Sequence, residues 1–131
     1  MWLKKRIDDE KWGEMNLEVA RLTREKRLDE ALELAQQLLK CARKSFGKRD
    51  KRTAVVLNNL GIINLLKEDF DEAEAYLLLA LQVTEKVSGK HDRNVSAIDR
   101  NLARLHSARA RHCETQGAFE ERAYPRTGFQ G

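Results

Sequence analysis

Residues at helical spacing in the middle of the chain predict a pair of packed helices. From Phe70, the positions that continue one face follow at i+3, i+7, i+10, i+11 and i+14, as in a helix with a period of 3.6 residues. A first helical pattern precedes it, from about Thr53 to Lys67, and Ser88-Gly89 supplies a stop after it. We therefore expect a unit made of a helix, a tight turn, a second helix and a short loop.

The same pattern recurs along the chain at a fixed step. Asp29-Glu30-Ala31 returns 42 residues later as Asp71-Glu72-Ala73, and the pairs Gly47-Lys48 and Asn59-Leu60 return at the same offset. An antiparallel helix pair cannot bury its apolar faces alone, so neighbouring units must stack. The sequence predicts an all-α repeat protein with about two and a half helix-hairpin units.

The repeats divide the chain into three parts. Residues 1–12 are expected to form an N-terminal extension that caps the open end with Trp2, Leu3 and Ile7. Residues 13–113 form the repeat domain, whose last convincing helix runs roughly from Arg93 to His112. The pattern then fails, so we expect residues 114–131 to hold a degenerate, short or frayed helix over 114–124 and a flexible tail over 125–131.

Composition narrows the class of protein. The chain has 131 residues, with one Pro and seven Gly, which disfavours an all-β fold with many tight turns. No apolar stretch is long enough to predict a membrane span, and the first residues lack the apolar core of a secretory signal. Two cysteines do not make a disulfide framework, so free thiols and a cytoplasmic location are expected.

Several short motifs of the middle unit carry a family resemblance. The stretch Leu57-Asn58-Asn59-Leu60-Gly61, then Phe70-Asp71-Glu72-Ala73-Glu74, and later Glu85-Lys86-Val87-Ser88-Gly89, resembles a tetratricopeptide repeat. The 42-residue step is most similar to the long units of kinesin light chains. The resemblance covers about 13–112 and implies an α-solenoid that binds or assembles proteins and has no catalytic activity and no cofactor.

A basic stripe marks the first helix of the third unit. Arg93, Arg100, Arg104 and Arg111 are spaced by 7, 4 and 7 residues, which places them on one narrow face of a helix. One interpretation is that they only solvate a terminal helix. The other is that they flank an apolar shelf on the concave side and bind carboxylates of a partner segment with an apolar anchor.

The second interpretation defines a predicted contact surface on the first helices of the second and third units. The resemblance adds Asn59 and Asn101, which fall where related domains place asparagines that bind the peptide backbone. The predicted partner-binding residues are Val55, Asn58, Asn59, Ile62, Leu65, Leu66, Arg93, Arg100, Asn101, Arg104 and Arg111.

Two other binding modes remain open. Leu78 and Leu79 replace glutamines of the first unit, and with Tyr76 and Val83 they suggest an uncovered surface that could self-associate, as in a structural scaffold or a homodimer. Nucleic-acid binding through the basic helix is a less favoured alternative, because the net charge is only +4 and the stripe lacks interleaved aromatic residues.

The residue types needed for catalysis or metal binding do not come together in the sequence. The serines follow no recognisable nucleophile motif, and the glycines form no phosphate loop. His106, His112 and Cys113 lack a second Cys/His cluster that would complete four ligands. We therefore expect no enzyme activity and no metal.

Overall fold

The structure is a computed structural model that describes residues 6–123, with side chains described through residue 117. This part of the chain contains five α-helices and no strand, which confirms the predicted all-α repeat fold. The helices are α1 (Asp9–Arg24), α2 (Leu28–Phe46), α3 (Lys51–Leu66), α4 (Phe70–Ser88) and α5 (Arg93–Ala123).

The helices are arranged in two layers. Each helix packs against the next one along the chain, and the α3–α4 hairpin has the most extensive contact. In addition, α1 contacts α3 and α3 contacts α5, whereas no Cα atom of α2 lies within 8 Å of one in α4. Because the first helices of the units are closer together than the second helices, α1, α3 and α5 form the inner layer of the stack, and α2 and α4 form the outer layer.

The two hairpin turns have the same geometry, 42 residues apart. Lys26 and Glu68 both adopt the left-handed conformation, with φ of 62° and 64°. The residue after each of them donates its backbone N–H to a carbonyl five residues back, from Arg27 to Leu22 and from Asp69 to Asn64, both at 2.9 Å. These paired hydrogen bonds satisfy the last carbonyls of α1 and α3 and start the second helix directly. The 42-residue repeat of the sequence is therefore also a repeat of the backbone conformation at these turns.

Aspartates at a 42-residue step begin the three first helices. The carboxylates of Asp8, Asp50 and Asp92 accept backbone N–H groups of the following first turns, each at 2.8 Å. An N-terminal aspartate satisfies an otherwise unpaired donor and suits the positive end of the helix dipole. The third copy of this cap shows that α5 starts as a regular repeat helix.

Asp50 allows a test of this capping. Replacing Asp50 with alanine should lower the free energy of unfolding by about 1 kcal/mol at neutral pH, while asparagine, which keeps the acceptor oxygen, should cost less. The side chain and then the backbone N–H of Arg52 hold the pKa of Asp50 below its ordinary value. The charged carboxylate therefore stabilises the fold above about pH 4, and this contribution is lost as the pH falls through the lowered pKa.

Urea unfolding of the wild type and both variants at several pH values measures this effect. The gap between the wild type and Asp50→Ala should shrink at acidic pH. A gap that stays constant across the acid range would contradict the role of the charge, and no gap at any pH would contradict the cap itself.

The end of the third unit differs from the prediction. α5 continues without a break to Ala123, so the expected end of the helix near His112 is wrong, and the residues expected to form a short or frayed helix over 114–124 continue α5 as far as Ala123. Gly117 costs only about 1 kcal/mol relative to alanine inside a helix, and Thr115 donates its hydroxyl to the carbonyl of Arg111 at 2.9 Å. Neither residue removes a backbone donor, so the helix is weakened but not ended.

The N-terminal extension is described only in part. Ile7 is half-buried against the core, and its backbone N–H donates to the hydroxyl of Ser45 on α2 at 2.8 Å. The predicted capping residues Trp2 and Leu3, and the predicted tail over 125–131, lie outside the described residues. The division into 1–12, 13–113 and 114–131 stays a prediction.

Candidate functional site

A concavity lies on the inner layer, where α3 ends and α5 passes beside it. Its volume is about 590 Å³, within the usual range for ligand pockets. We call it the inner pocket, and it is lined by Leu65, Leu66, Glu68, Phe70, Arg104, Ala108, Arg111, His112 and Thr115.

One wall of the inner pocket is apolar. Leu65 is buried, and Leu66, Phe70 and Ala108 are half-buried. Leu65 and Leu66 come from the last turn of α3, and Phe70 is the first residue of α4. The tight turn between these helices therefore brings three large apolar side chains to one edge, with Ala108 leaving space in front of them.

The opposite wall carries two arginines with free guanidinium groups. Arg104 and Arg111 are exposed, and neither makes an ion pair with any residue that the structure describes. Arg109 on the same helix behaves differently, because it binds Asp71 at 3.1 Å and Glu74 at 3.6 Å on α4. Arg109 thus holds α5 against α4, whereas Arg104 and Arg111 remain available to a ligand.

A histidine and a glutamate close the end of the pocket. His112 Nδ1 lies 3.4 Å from a carboxylate oxygen of Glu68, and the imidazole meets the ring of Phe70 edge to face at 5.6 Å between centroids. Glu68 is the left-handed residue of the α3–α4 turn. It is the one acid among the lining residues, and its carboxylate contacts His112 and neither of the two arginines.

The inner pocket unites four of the predicted contact residues, namely Leu65, Leu66, Arg104 and Arg111. Val55 and Ile62 are half-buried on α3 and do not line it. Because α3 packs against all four other helices, much of its apolar surface serves packing rather than a free shelf. Arg93 and Arg100 are exposed nearer the start of α5, outside the pocket.

The predicted asparagines join neighbouring helices of the inner layer. Asn59 on α3 donates its amide to Asn16 on α1 at 2.6 Å, and Asn101 on α5 donates to Asn58 on α3 at 3.0 Å. Asn101 is only 8% exposed. These amides set the spacing of α1, α3 and α5, and their contact with a peptide backbone stays a prediction.

The predicted self-association surface is only partly exposed. Leu78 and Leu79 are 50% and 36% exposed on α4, and Tyr76 is half-buried against the core. Val83 is 8% exposed, because it points inward with the core residues of α4. The expectation that Val83 belongs to a free apolar surface is therefore wrong.

Sequence reasoning missed five lining residues of the inner pocket. Glu68, Phe70, Ala108, His112 and Thr115 are not among the predicted site residues. Thr115 lies beyond the helix end expected near His112. The signal was present, since 104, 108, 111 and 115 are spaced at i+4, i+7 and i+11 and share one face of a continuous helix.

The described residues contain two free thiols, no cluster of metal-binding side chains and no membrane-spanning helix. Cys41 is a buried free thiol and Cys113 an exposed one. No group of three or more histidine, cysteine, aspartate or glutamate side chains within 6–117 is arranged to hold a metal ion. None of the described helices is long and apolar enough to cross a membrane.

Comparison with known proteins supports the architecture. Residues 20–78 match a family described as Tetratricopeptide repeat, a segment that runs from late α1 through the hairpins into α4. Curated proteins give no match to the chain. The helix pairs with identical turns and the two-layer stacking agree with this match, which supports a tetratricopeptide-repeat protein.

Proposed function

We propose that the inner pocket binds a segment of a protein partner in which acidic residues flank an apolar side chain. Tetratricopeptide repeats generally mediate protein–protein interactions and form a non-catalytic module. The single observation that supports the finer proposal is the inner pocket itself, where an apolar wall faces two unpaired arginines.

The apolar wall favours one inserted side chain over a flat contact. A large side chain placed against Leu66 and Phe70 would remove their exposed surface from water, at about 25 cal/mol per Å² of apolar area. The pocket has room for an aromatic or long aliphatic group, since its volume is about 590 Å³. Such an anchor would supply most of the affinity, as buried anchors do at protein interfaces.

The arginines favour acidic neighbours of that anchor. Guanidinium groups bind carboxylates through two parallel hydrogen bonds, so Arg104 and Arg111 can each hold an aspartate or glutamate. Arg93 and Arg100 extend the positive field along α5 toward its start. This field would speed association and make binding weaken as salt rises.

Fluorescence anisotropy with short labelled peptides tests the proposal. The peptides carry tryptophan, leucine or alanine as the central residue and aspartate or lysine on both sides. We expect saturable binding for tryptophan or leucine between aspartates, and none for the other combinations. Equal binding of the lysine-flanked peptides, or no binding of any peptide, would contradict the proposed chemistry.

Charge reversal locates the binding surface. Arg104→Glu with Arg111→Glu should weaken the acidic peptide at least about tenfold and leave the thermal midpoint nearly unchanged, because both side chains are exposed. The matched control is Arg24→Glu with Lys40→Glu, which changes the net charge equally at exposed positions on α1 and α2. An equal loss in both double variants would indicate only a general charge effect.

The same protein samples serve to test the two alternative functions, nucleic-acid binding and self-association. A labelled duplex of random sequence reports nucleic-acid binding, which would fade steeply with salt. Light scattering of wild type and of Leu78→Gln with Leu79→Gln reports self-association, which would give a smaller mass for the variant. We expect no duplex binding and a monomeric mass in both proteins.

A further inference from the structure

The outer layer contains a second pocket, distinct from the inner one. No Cα atom of α2 lies within 8 Å of one in α4, and Leu57 of α3 lies at the base of a gap between the two helices. We call it the outer pocket. Its volume is about 190 Å³, and its lining residues are Arg43, Lys48, Arg49, Leu57, Leu79, Gln82, Val83 and Lys86.

Four cations and no acid line the outer pocket. Arg43, Lys48, Arg49 and Lys86 come from the end of α2, the loop after it and the end of α4. None of the four forms an ion pair within the part of the chain that the structure describes. Elsewhere basic side chains such as Arg21, Arg27 and Arg52 are neutralised by nearby carboxylates. The outer pocket thus holds unneutralised positive charge.

Arg43 has a buried hydrogen-bond donor that is not satisfied within the described part of the chain. Its Nε is buried and has no hydrogen-bond partner among the described residues. A buried donor without a partner destabilises the fold, and an anionic oxygen within hydrogen-bond distance of this Nε would satisfy it. The floor formed by Leu57, Leu79 and Val83 is apolar, so the fitting ligand combines an anion with an apolar stem.

The repeat does not require the two arginines. The positions 42 residues after Arg43 and Arg49 hold Glu85 and His91, whereas the two lysines are kept at this step, as Lys90 after Lys48 and as Lys44 before Lys86. The helix pattern is the same in both units although both arginines are replaced. Arg43 and Arg49 therefore distinguish the gap between α2 and α4 and are not part of the repeat pattern.

We infer that the outer pocket binds a phosphate monoester carried on an apolar group, as on a phosphorylated tyrosine side chain of a partner protein. A phosphoryl group carries about −1.5 to −2 charges and three strong acceptor oxygens, which suits several cations better than one carboxylate does. The gap holds roughly six water volumes, enough for one side chain and too little for a strand or helix. Clustered arginines recognise phosphorylated side chains in this way.

Amide chemical shifts of the labelled protein provide the test, with phenyl phosphate as the probe. Titration should shift Leu79, Val83 and Lys48 along one saturating curve. Inorganic phosphate, benzyl alcohol and benzoate should each bind at least about tenfold more weakly. Equal binding of inorganic phosphate would mean an adventitious ion only, equal binding of benzoate would assign the pocket to a carboxylate, and no saturable shift would overturn the inference.

Two pairs of variants locate the ligand. Arg43→Gln with Arg49→Gln should weaken phenyl phosphate at least about tenfold. Lys48→Gln with Lys86→Gln should also weaken it, and this pair has no buried group that could disturb folding. The matched control, Arg104→Gln with Arg111→Gln, removes the same charge from the inner pocket and should leave the constant unchanged. A loss in the control equal to that in the test pairs would refute a separate outer site.

Discussion

Replacing Leu77 with alanine is expected to lower the free energy of unfolding by about 3 kcal/mol. Leu77 is fully buried in α4 and belongs to the continuous core to which all five helices contribute. Truncation removes three carbon atoms from the interface between α3 and α4, the most extensive helix pair. The surrounding helices can collapse only partly into the space, so a cavity adds to the lost burial.

The neighbouring leucine is the control for this prediction. Leu78→Ala makes the same chemical change one residue later, at a side chain that is 50% exposed. It should cost less than about 1 kcal/mol, as surface substitutions do. Urea unfolding followed by far-ultraviolet circular dichroism measures both values. Similar losses in the two variants would mean that α4 faces the core differently from the structure.

The repeat architecture could be predicted because it rests on local chemistry. Asp50 and Asp92 begin first helices, Gly89 ends α4, and the spacing from Phe70 to Leu77 fixes the buried face. Each of these residues acts within one or two helical turns, and the 42-residue step then repeats the result. No long-range contact had to be known to place the hairpins.

The layout of the binding surfaces could be predicted only in part, because it depends on how helices meet. The apolar residues of α3 indicate that the helix is surrounded, but they do not show which of them pack and which remain open. Leu65 and Leu66 line the inner pocket, whereas Val55 and Ile62 do not. That division follows from the position of α5, which the sequence pattern did not fix.

The outer pocket could not be predicted from periodicity at all. Arg43, Arg49 and Lys86 lie on a helix end, a loop and a second helix, so no single helical face contains them. They share a site only because α2 and α4 stand apart over Leu57. Charge on a surface becomes a candidate site when the packing of other elements leaves a gap beside it.

A second large effect is expected at Gly61, where α3 passes closest to α4. A Cβ atom at this position would lie 2.5 Å from Leu77 Cδ2 and 2.6 Å from Leu77 Cγ, too close for packed atoms. Alanine favours a helix over glycine by about 1 kcal/mol, but the collision forces Leu77 out of its rotamer or the helices apart. Gly61→Ala should therefore lower the free energy of unfolding by about 1–2 kcal/mol.

The control for helix propensity is Gly13→Ala. Gly13 lies inside α1, and a Cβ there would meet nothing within 4 Å. The free energy of unfolding of this variant should rise by about 0.5–1 kcal/mol, a change opposite in sign to that of Gly61→Ala. If urea unfolding gives an equal rise for both variants, α3 and α4 are farther apart than the structure places them.

Combining Gly61→Ala with Leu77→Ala tests the contact itself. Once Leu77 lacks its Cγ and Cδ atoms, the nearest of the remaining neighbours is the Ala73 carbonyl oxygen, at an ordinary contact distance of 3.4 Å, and the new Cβ fills part of the cavity. The double variant should then be at least as stable as Leu77→Ala alone, although each single change is destabilising. The coupling free energy from the double-mutant cycle should reach about 1–3 kcal/mol, because the two substitutions relieve one collision. Additive losses would show that a side chain at position 61 does not meet Leu77. The close approach of α3 and α4 would then be refuted.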